Sequence, residues 1–203
     1  SAWVQHVVDY TGGHGLTLVS NKLQSLITYG DAYYDVVFNC DQEVCVAITN
    51  VASAGSSLDY YLLYKLRTIG NGTTEGLALR VYYVGASEQA VDLYKIVAGA
   101  FVLLIAGFSA SLADGDRVAI RAVGDYSLVY WDVAGVLTLQ YLVNHTFTSY
   151  YYANFSTLDG KTGIYMHSSV VLDDYNAGNI NSAFPYLVST PQEIKSTTGS
   201  NST

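Results

Sequence analysis

The stretch 115–143 limits what this chain can fold into more than any other part of the sequence. In its first run Val118 and Ile120 alternate with smaller or charged residues, the period of two that is typical of a strand with one buried face. Gly124-Asp125 and Ala134-Gly135 then separate two further runs of β-branched and aromatic residues, as tight turns do. Apolar residues do not recur at the helical spacing of three and four. The stretch therefore predicts three consecutive antiparallel strands.

The same alternation recurs upstream and predicts one shared core. Apolar residues occupy alternate positions in three runs: Val44/Val46/Ile48, Leu77/Leu79/Val81 and Val118/Ile120. Residues 59–67 predict a Tyr-rich strand in which Tyr61, Leu63 and Lys65 share one face. The apolar run 96–108 is shorter than the roughly 20 residues that cross a bilayer, so its Ala98-Gly99 pair predicts a hairpin turn between two buried strands. We therefore expect an all-β sandwich of antiparallel sheets.

Two parts of the sequence resemble a known fold family. They are the run 115–137, GDRVAIRAVGDYSLVYWDVAGVL, and the closing segments GKTGIY and VVLDDYNAG at 160–165 and 170–178. Both are similar to the late strands of the concanavalin A-like (laminin-G-like) jelly roll, and looser matches extend the resemblance over residues 3–178. The resemblance implies a two-sheet jelly-roll sandwich of the kind found in phage virion proteins and extracellular carbohydrate-binding proteins. One departure is Val133-Ala134-Gly135, where the family has Asn or Asp before the glycine, so we expect a differently shaped loop there.

The last part of the chain differs in composition from the rest. We assign residues 1–180 to the jelly-roll domain and residues 181–203 to a docking segment followed by a flexible polar tail or linker. Residues 184–188 are apolar, and apolar side chains outside a complete sandwich require a partner surface. That partner is either the flank of the same domain or another copy of the chain. Low surface charge favours the second copy.

The charge of the chain restricts its partners and its location. Only 13% of residues are charged, 19 are Tyr, and the net charge is −8. An acidic chain without a basic run lacks the electrostatic footprint that nucleic acid or an anionic membrane attracts, so we predict neither as a partner. Soluble globular domains are usually about a quarter charged. The composition therefore predicts an extracellular or virion-surface location.

Sequence motifs of catalysis are absent. The chain has no Glu-x-Asp-x-x-Glu strand of a retaining glucanase, no nucleophile elbow and no His-Glu-x-x-His. Asp173 and Asp174 are neighbours on a predicted strand and so point to opposite faces, which prevents them from acting as a facing pair. The histidines are far apart in sequence, and we expect them on the surface or in loops. No catalytic residue, metal or cofactor is predicted, although Tyr, His and Arg side chains could still meet in the folded chain.

Aromatic residues give the positive evidence for a function. Sugars stack their C–H faces on aromatic rings and pair their hydroxyls with charged and amide side chains. The glycan-binding candidates are Arg80 with Tyr82 and Arg121 with Trp131 on polar faces of strands, and Tyr150, Tyr151 and Tyr152 on a predicted loop. The alternative for each cluster is packing in the core or against a neighbouring subunit.

Two further features concern covalent modification. Cys40 and Cys45 are close enough in sequence to bridge adjacent strand ends, or both remain free thiols. Asn-x-Ser/Thr sequences begin at Asn71, Asn144 and Asn154, in predicted loops or loop edges. These asparagines could carry N-glycans in a secreted protein.

Together these observations favour a non-enzymatic surface module. It would decorate or build a virion or an extracellular filament and adhere to host glycans. Its partners would be other copies of itself or other virion or filament proteins. The alternative is a secreted glycan-active enzyme of the same fold, either a glycoside hydrolase or a polysaccharide lyase.

Overall fold

The computed structural model describes residues 3–4, 15–19, 22–49, 59–69, 72–84, 88–145, 157, 159–180 and 192–195. These residues form fifteen β-strands: β1 (Trp3–Val4), β2 (Leu16–Val19), β3 (Lys22–Ser25), β4 (Tyr29–Phe38), β5 (Gln42–Ile48), β6 (Asp59–Arg67), β7 (Glu75–Val84), β8 (Glu88–Val97), β9 (Ala100–Ala110), β10 (Arg117–Val123), β11 (Tyr126–Val133), β12 (Val136–Asn144), β13 (Gly160–His167), β14 (Val171–Asn179) and β15 (Gln192–Lys195). None of the described residues belongs to a helix long and apolar enough to cross a membrane.

The strands form two sheets that pack face to face. The seven-stranded sheet has the order β1-β4-β13-β6-β7-β8-β9, and the eight-stranded sheet has the order β15-β12-β11-β10-β5-β14-β3-β2. Neighbouring strands are antiparallel except β12 and β15, which are parallel. The prediction of an all-β, two-sheet antiparallel jelly-roll sandwich is confirmed.

The core lies between the two sheets, where the alternation predicted it. The eight residues of the three alternating runs are all at most 1% exposed and belong to one apolar cluster. Because side chains on a strand alternate between faces, the residues between them point outward and form two further clusters, one on the outer face of each sheet. The sandwich therefore buries apolar side chains on the outer faces as well as in the middle.

Two hairpins turn on an Ala-Gly pair, one in each sheet. Ala98 and Gly99 join β8 to β9 with φ of 49° and 79°, and Ala134 and Gly135 join β11 to β12 with φ of 53° and 79°. Positive φ at both residues is typical of the type I′ turn that suits two-residue hairpins. The hairpin predicted within 96–108 is confirmed, but the expectation that both of its strands are buried is wrong for β9, where Val102 is 41% and Leu103 49% exposed. The differently shaped loop expected at Ala134 is wrong, because the alanine itself adopts the left-handed conformation.

A bulge in β6 contradicts the expectation that Lys65 shares a face with Tyr61 and Leu63. Lys65 has a φ of 51°, and the register between β6 and β7 shifts between Tyr64 and Arg67. Lys65 is buried, and Leu66 instead joins the outer-face cluster of the seven-stranded sheet. Gly160 on β13 makes room for the bulge, since a Cβ there would lie 2.6 Å from the carbonyl carbon of Lys65. Strict alternation fails here because a bulge inserts an extra residue.

The last described residues contribute to the sandwich. Residues 192–195, which the sequence analysis assigned to a flexible tail, form β15 and pair with residues 141–144 of β12 at the edge of the eight-stranded sheet. The backbone edge of β12 supplies hydrogen-bond partners that a free polar segment would otherwise find in water. The flank of the same domain is thus the partner of these four residues, whereas the apolar segment 184–188 lies outside the described residues.

Candidate functional site

The outer face of the seven-stranded sheet, turned away from the core, carries a row of aromatic and charged side chains. Asp31, Tyr165, Tyr61, Arg80 and Asp92 occupy directly paired positions on β4, β13, β6, β7 and β8. Residues directly opposite each other on paired strands share a face and lie within contact distance. The row therefore crosses five neighbouring strands.

Aromatic rings on this face brace one another. Tyr61 stacks on Phe101 with ring centroids 4.4 Å apart and meets Tyr165 edge-on at 5.3 Å. Tyr29 stacks on Tyr165 at 5.2 Å. Tyr61 and Tyr165 are buried, whereas Tyr29, Tyr94 and Phe101 are half-buried. Such ring pairs stabilise by about 0.5–1.5 kcal/mol each beyond the area they bury, so they hold the half-buried rings in fixed positions.

Arg80 connects the aromatic rings to a buried carboxylate. Its Nε and Nη2 donate to Oδ2 of Asp59 at 2.8 and 2.7 Å, and its Nη1 donates to the Tyr94 hydroxyl at 3.4 Å. The guanidinium carbon lies 4.3 Å from the centroid of the Tyr82 ring. Arg80 and Tyr82 are two positions apart on β7 and so share a face, which confirms that they come together. The Arg80 side chain is 27% exposed, whereas that of Asp59 is 5% exposed.

Asp59 fixes the ionisation of its neighbours. Burial, and then the charge of Asp59, raise the pKa of Tyr61 well above its usual value, so its hydroxyl stays protonated and donates to Oδ2 of Asp59 at 3.3 Å. Burial alone would lower the pKa of Arg80, but the charge of Asp59 and the hydrogen bonds to Asp59 and Tyr94 offset it, and the pKa is raised. Oδ1 of Asp59 is buried and accepts no hydrogen bond within the described part of the chain.

Asp92 flanks Arg80 from the opposite side. It pairs with Arg80 across β7 and β8, is 3% exposed, and accepts a 2.8 Å hydrogen bond from the Gly107 amide. Gly107 has a φ of 87° and lies in an irregular part of β9, so Asp92 holds a bulge at the margin of the site. Burial, followed by the charge of Asp92, raises the pKa of Tyr82.

We call Asp59, Arg80, Tyr82, Asp92 and Tyr94 the Arg80 platform. It offers ring surface and guanidinium donors on one half-open face, held in place by two buried carboxylates, and rings with donors suit the C–H faces and hydroxyls of a sugar. Sequence reasoning found Arg80 and Tyr82 but missed the other three. Asp59 and Asp92 are a carboxylate pair from two different strands, and a search of carboxylates close in sequence does not find such a pair.

The second predicted pair, Arg121 with Trp131, is not a surface site. Trp131 is 6% exposed, belongs to the core cluster, and pairs with the core residue Val118. Arg121 lies on the opposite, outer face of the eight-stranded sheet and is 5% exposed. The expectation that both lie on a polar face beside each other is therefore wrong. Residues Tyr150, Tyr151 and Tyr152 lie outside the described residues.

Arg121 forms a closed ion pair. Its Nε donates to Oε2 of Glu43 at 3.0 Å, and its guanidinium carbon lies 5.4 Å from the ring centroid of Tyr130. Burial raises the pKa of Glu43 even though Arg121 lowers it. Because Glu43 and Tyr130 are also buried, the pair has no surface on which a sugar could lie.

A polar chain crosses the interior at one end of the sandwich. The Tyr64 and Ser127 hydroxyls lie 2.9 Å apart, and Oγ of Ser127 lies 2.8 Å from Nε2 of His145. His145 was expected on the surface or in a loop, but it is 3% exposed. Burial, and then the charge of Lys65, lower its pKa to about 3, so the ring is neutral near pH 7. Ser127 is fully buried, so this Ser–His pair stabilises the interior and offers no nucleophile to a substrate.

The modification candidates have defined environments where they are described. Cys40 is half-buried, Cys45 is buried, both thiols are free, and burial raises the pKa of Cys45 to about 12. Asn144 ends β12, is 7% exposed, and donates from Nδ2 to the Tyr126 hydroxyl at 3.4 Å. A buried amide cannot accept a glycan in the folded chain, so Asn144 is wrong as a glycosylation site. Asn71 and Asn154 lie outside the described residues.

The described residues hold no group of three or more His, Cys, Asp or Glu side chains arranged to bind a metal ion. The Arg80 platform itself offers two carboxylates, and Arg80 separates them.

The fold matches lectins and carbohydrate-binding modules of known structure. A legume lectin-like domain from Entamoeba histolytica aligns with a TM-score of 0.60 at 8% identity, over 89% of this chain and 91% of that one. The carbohydrate-binding module CBM66 from Bacillus subtilis aligns with a TM-score of 0.57 at 12% identity, over 88% and 96%. The exoplasmic/lumenal domain of VIP36, in a form bound to Ca²⁺ and mannose, aligns with a TM-score of 0.57 at 10% identity, over 92% and 86%.

These likenesses establish the fold. The chain has the concanavalin A-like jelly-roll fold, as the closing segments of its sequence indicated. No model of a known protein family matches the sequence, and no curated protein matches it either.

Proposed function

We propose that this chain is a non-enzymatic carbohydrate-binding module whose sugar site is the Arg80 platform. The observation that carries the proposal is the stack of Arg80 on Tyr82, half-open to solvent and tied to buried Asp59. Two of the similar structures are described as a carbohydrate-binding module and as a mannose-bound domain, which supports the same class of ligand.

The platform divides the work of binding between its side chains. The Tyr82 ring and the neighbouring Tyr94 ring provide apolar surface for a sugar face, as ring stacking requires. The Nη atoms of Arg80 each carry a further hydrogen after donating to Asp59 and Tyr94, and these hydrogens are available to sugar hydroxyls. Charged donors make shorter and stronger hydrogen bonds than neutral ones.

We place the module on an extracellular or virion surface. The low charged fraction of 13% and the 19 Tyr residues support an extracellular surface more than an intracellular one. There the module would decorate or build a virion or filament, together with other copies of itself or with other structural proteins. Adhesion to host glycans would then be its contribution to the assembly.

Loss of the Tyr82 ring tests the site. We expect Tyr82→Ala to weaken binding by up to about tenfold, since a sugar that loses the ring on which it stacks forfeits up to about 1.5 kcal/mol. The measurement is a glycan array on the intact chain, followed by calorimetry with the best ligand. Tyr126→Ala is the matched control, because Tyr126 is an exposed tyrosine at 37% on β11 of the other sheet. Equal affinities of the two variants, or no glycan bound by the intact chain, would contradict the proposal.

The enzymatic alternative has its own readout. Asp59 and Asp92 are the carboxylates on the platform, and each is buried and already hydrogen-bonded. We expect no release of reducing ends or unsaturated products from a panel of polysaccharides. Release that is abolished by Asp59→Asn or Asp92→Asn would show that the chain is a glycan-active enzyme.

A further inference from the structure

We infer that the Arg80 platform selects neutral glycans over acidic ones and that Asp92 sets this preference. The inference rests on the proposed glycan-binding function and names the class of glycan. A carboxylate-bearing sugar would meet the platform where its negative charges outnumber its positive charge.

The positive charge of Arg80 is already neutralised by its ion pair with Asp59. Two of its nitrogens lie 2.7 and 2.8 Å from the same oxygen of Asp59, so Asp59 neutralises the guanidinium at short range. The hydrogens that remain on Arg80 can still donate to a neutral hydroxyl, because donation requires no net charge on the platform.

Asp92 adds a second negative charge beside this pair. Its carboxylate accepts hydrogen bonds from the Gly107 amide and the Tyr82 hydroxyl, which are both neutral donors. No Lys, Arg or His within the described residues forms a salt bridge with it. Lys161, at the β4 end of the face, is bonded to Asp35 and brings no uncompensated positive charge. The described part of the face is thus negative at and around the platform.

This charge acts on a ligand without touching it. Asp92 is 3% exposed, yet Coulomb repulsion near a protein surface extends over several ångströms and is screened only beyond about 10 Å at moderate salt. An acidic sugar would also lose the hydration of its carboxylate with no free cation to replace it. We expect a discrimination of about tenfold or more, which corresponds to about 1.4 kcal/mol.

The test uses pairs of oligosaccharides that differ only at C6. One member of each pair carries a hydroxymethyl group and the other a carboxylate, for example galactose and galacturonate oligomers. The intact chain should bind the neutral member at least about tenfold more tightly. In Asp92→Asn the ratio of neutral to acidic affinity should shrink by about tenfold, because the charge is removed while the side-chain oxygen can still accept from the Gly107 amide.

Asp173→Asn is the matched control. Asp173 also accepts a backbone hydrogen bond, from the Asp174 amide at 2.9 Å, but it lies on β14 of the other sheet. The substitution changes the net charge by the same amount, so it should leave the ratio as it is in the intact chain.

The outcomes separate the inference from the function. If the intact chain binds both members of a pair equally, or if Asp92→Asn shifts the ratio no more than Asp173→Asn, charge selection is wrong and glycan binding stands. If no member of any pair binds, and the glycan array is also empty, the proposed function fails and the inference with it.

A measurement on the intact chain covers the case in which Asp92→Asn does not fold. Raising the ionic strength from about 0.01 M to about 1 M shortens the screening length from about 30 to about 3 Å. Affinity for the acidic member should then rise toward that of the neutral member, whose affinity should not change. An acidic affinity that stays constant or falls with salt would overturn the inference.

Discussion

Two of the arginine–carboxylate pairs of this sandwich join their strands in the same way and differ in how far solvent reaches them. Arg80 with Asp59 and Arg121 with Glu43 each join two neighbouring strands on an outer face. The Arg80 side chain is 27% exposed and stacks on half-buried Tyr82, whereas the Arg121 side chain is 5% exposed and lies over buried Tyr130. The first pair is open to a ligand, and the second is closed to it.

The comparison shows that an arginine–carboxylate pair can serve ligand binding or stability, depending on how far solvent reaches it. Removing one partner of a buried pair leaves a charge that nothing compensates, which is costly. A partly exposed pair is screened by water and contributes less to stability. We therefore expect substitutions on the outer face of the eight-stranded sheet mainly to lower the free energy of unfolding. Substitutions on the outer face of the seven-stranded sheet should mainly weaken glycan binding.

The largest expected effect is the loss of Arg121. We expect Arg121→Met to lower the free energy of unfolding by about 3–5 kcal/mol, because Glu43 would remain buried without its cation. Urea unfolding of the variant and the intact chain measures the difference. Glycan affinity, measured on the folded fraction, should not change. A loss below about 1 kcal/mol would mean that the Arg121–Glu43 pair contributes no more to stability than a solvent-exposed ion pair does.

The pH dependence of this variant gives an independent check. Burial already raises the pKa of Glu43 in the intact chain, and without Arg121 the main opposing influence is gone. A carboxyl whose pKa is raised by folding is favourable in its protonated form, so its contribution to stability is present at low pH and lost as the pH rises through the folded pKa. The deficit of Arg121→Met should therefore shrink as the pH falls below 7. A deficit that is constant with pH would contradict this account of Glu43.

The buried polar chain of Tyr64, Ser127 and His145 should make the free energy of unfolding depend on pH. The pKa of His145 falls from 6.5 to about 3 on folding, chiefly through burial. Stability that depends on neutral His145 is thus present above about pH 6.5 and lost as the pH falls toward 3. Between about pH 6.5 and pH 4 we expect a loss of about 3 kcal/mol, at about 1.4 kcal/mol per pH unit.

His145→Gln removes this titration. Denaturant unfolding at several pH values should show a smaller loss of stability toward acid in the variant than in the intact chain. The amide of Gln can still hydrogen-bond the Ser127 hydroxyl, so the variant keeps a polar partner for the interior chain. If both proteins lose stability equally between these pH values, His145 is not the group responsible.

Alternation along single strands was enough to predict the core. Val44 and Ile120 belong to strands in which large β-branched residues alternate with smaller or charged ones, so the pattern identifies the face on which they lie. Trp131 was misplaced because residues 128–131 are apolar on both faces, and a period of two is then invisible. Lys65 was misplaced because a bulge shifts the period by one residue.

The site was predictable only where it lies within one strand. Arg80 and Tyr82 are two positions apart on β7, so their proximity follows from strand geometry. Asp59 and Asp92 reach Arg80 from β6 and β8, and their approach depends on the register between strands. Register is set by packing and turns across the whole sheet, so no local pattern reveals it.

The next expected effect concerns the open pair. We expect Arg80→Lys to weaken glycan binding about tenfold or more but to lower the free energy of unfolding by only about 1–2 kcal/mol, because lysine keeps a positive charge beside buried Asp59 while the planar guanidinium that stacks on Tyr82 is lost. Calorimetry and urea unfolding on the same preparation measure both quantities. Stability lost as heavily as in Arg121→Met, with binding intact, would break the distinction between the two sheets.

The smallest expected effect lies in the turns, where the two sheets should behave alike. Ala98 and Ala134 both hold a φ near 50° at the first position of a two-residue hairpin, a conformation that costs alanine about 1 kcal/mol. Asn tolerates it better, so Ala98→Asn and Ala134→Asn should each raise the free energy of unfolding by about 0.5–1 kcal/mol. Because the turns lie in different sheets, the double variant should show the sum.

Thermal or urea unfolding measures the gain, and calorimetry should show unchanged glycan affinity, since neither turn belongs to the Arg80 platform. Gly99 must be kept, because its φ of 79° lies in the left-handed region that favours glycine. If a stabilising substitution in a turn also changed the glycan affinity, the hairpins and the Arg80 platform would be coupled. That result would contradict the expectation that stability and binding respond separately in the two sheets.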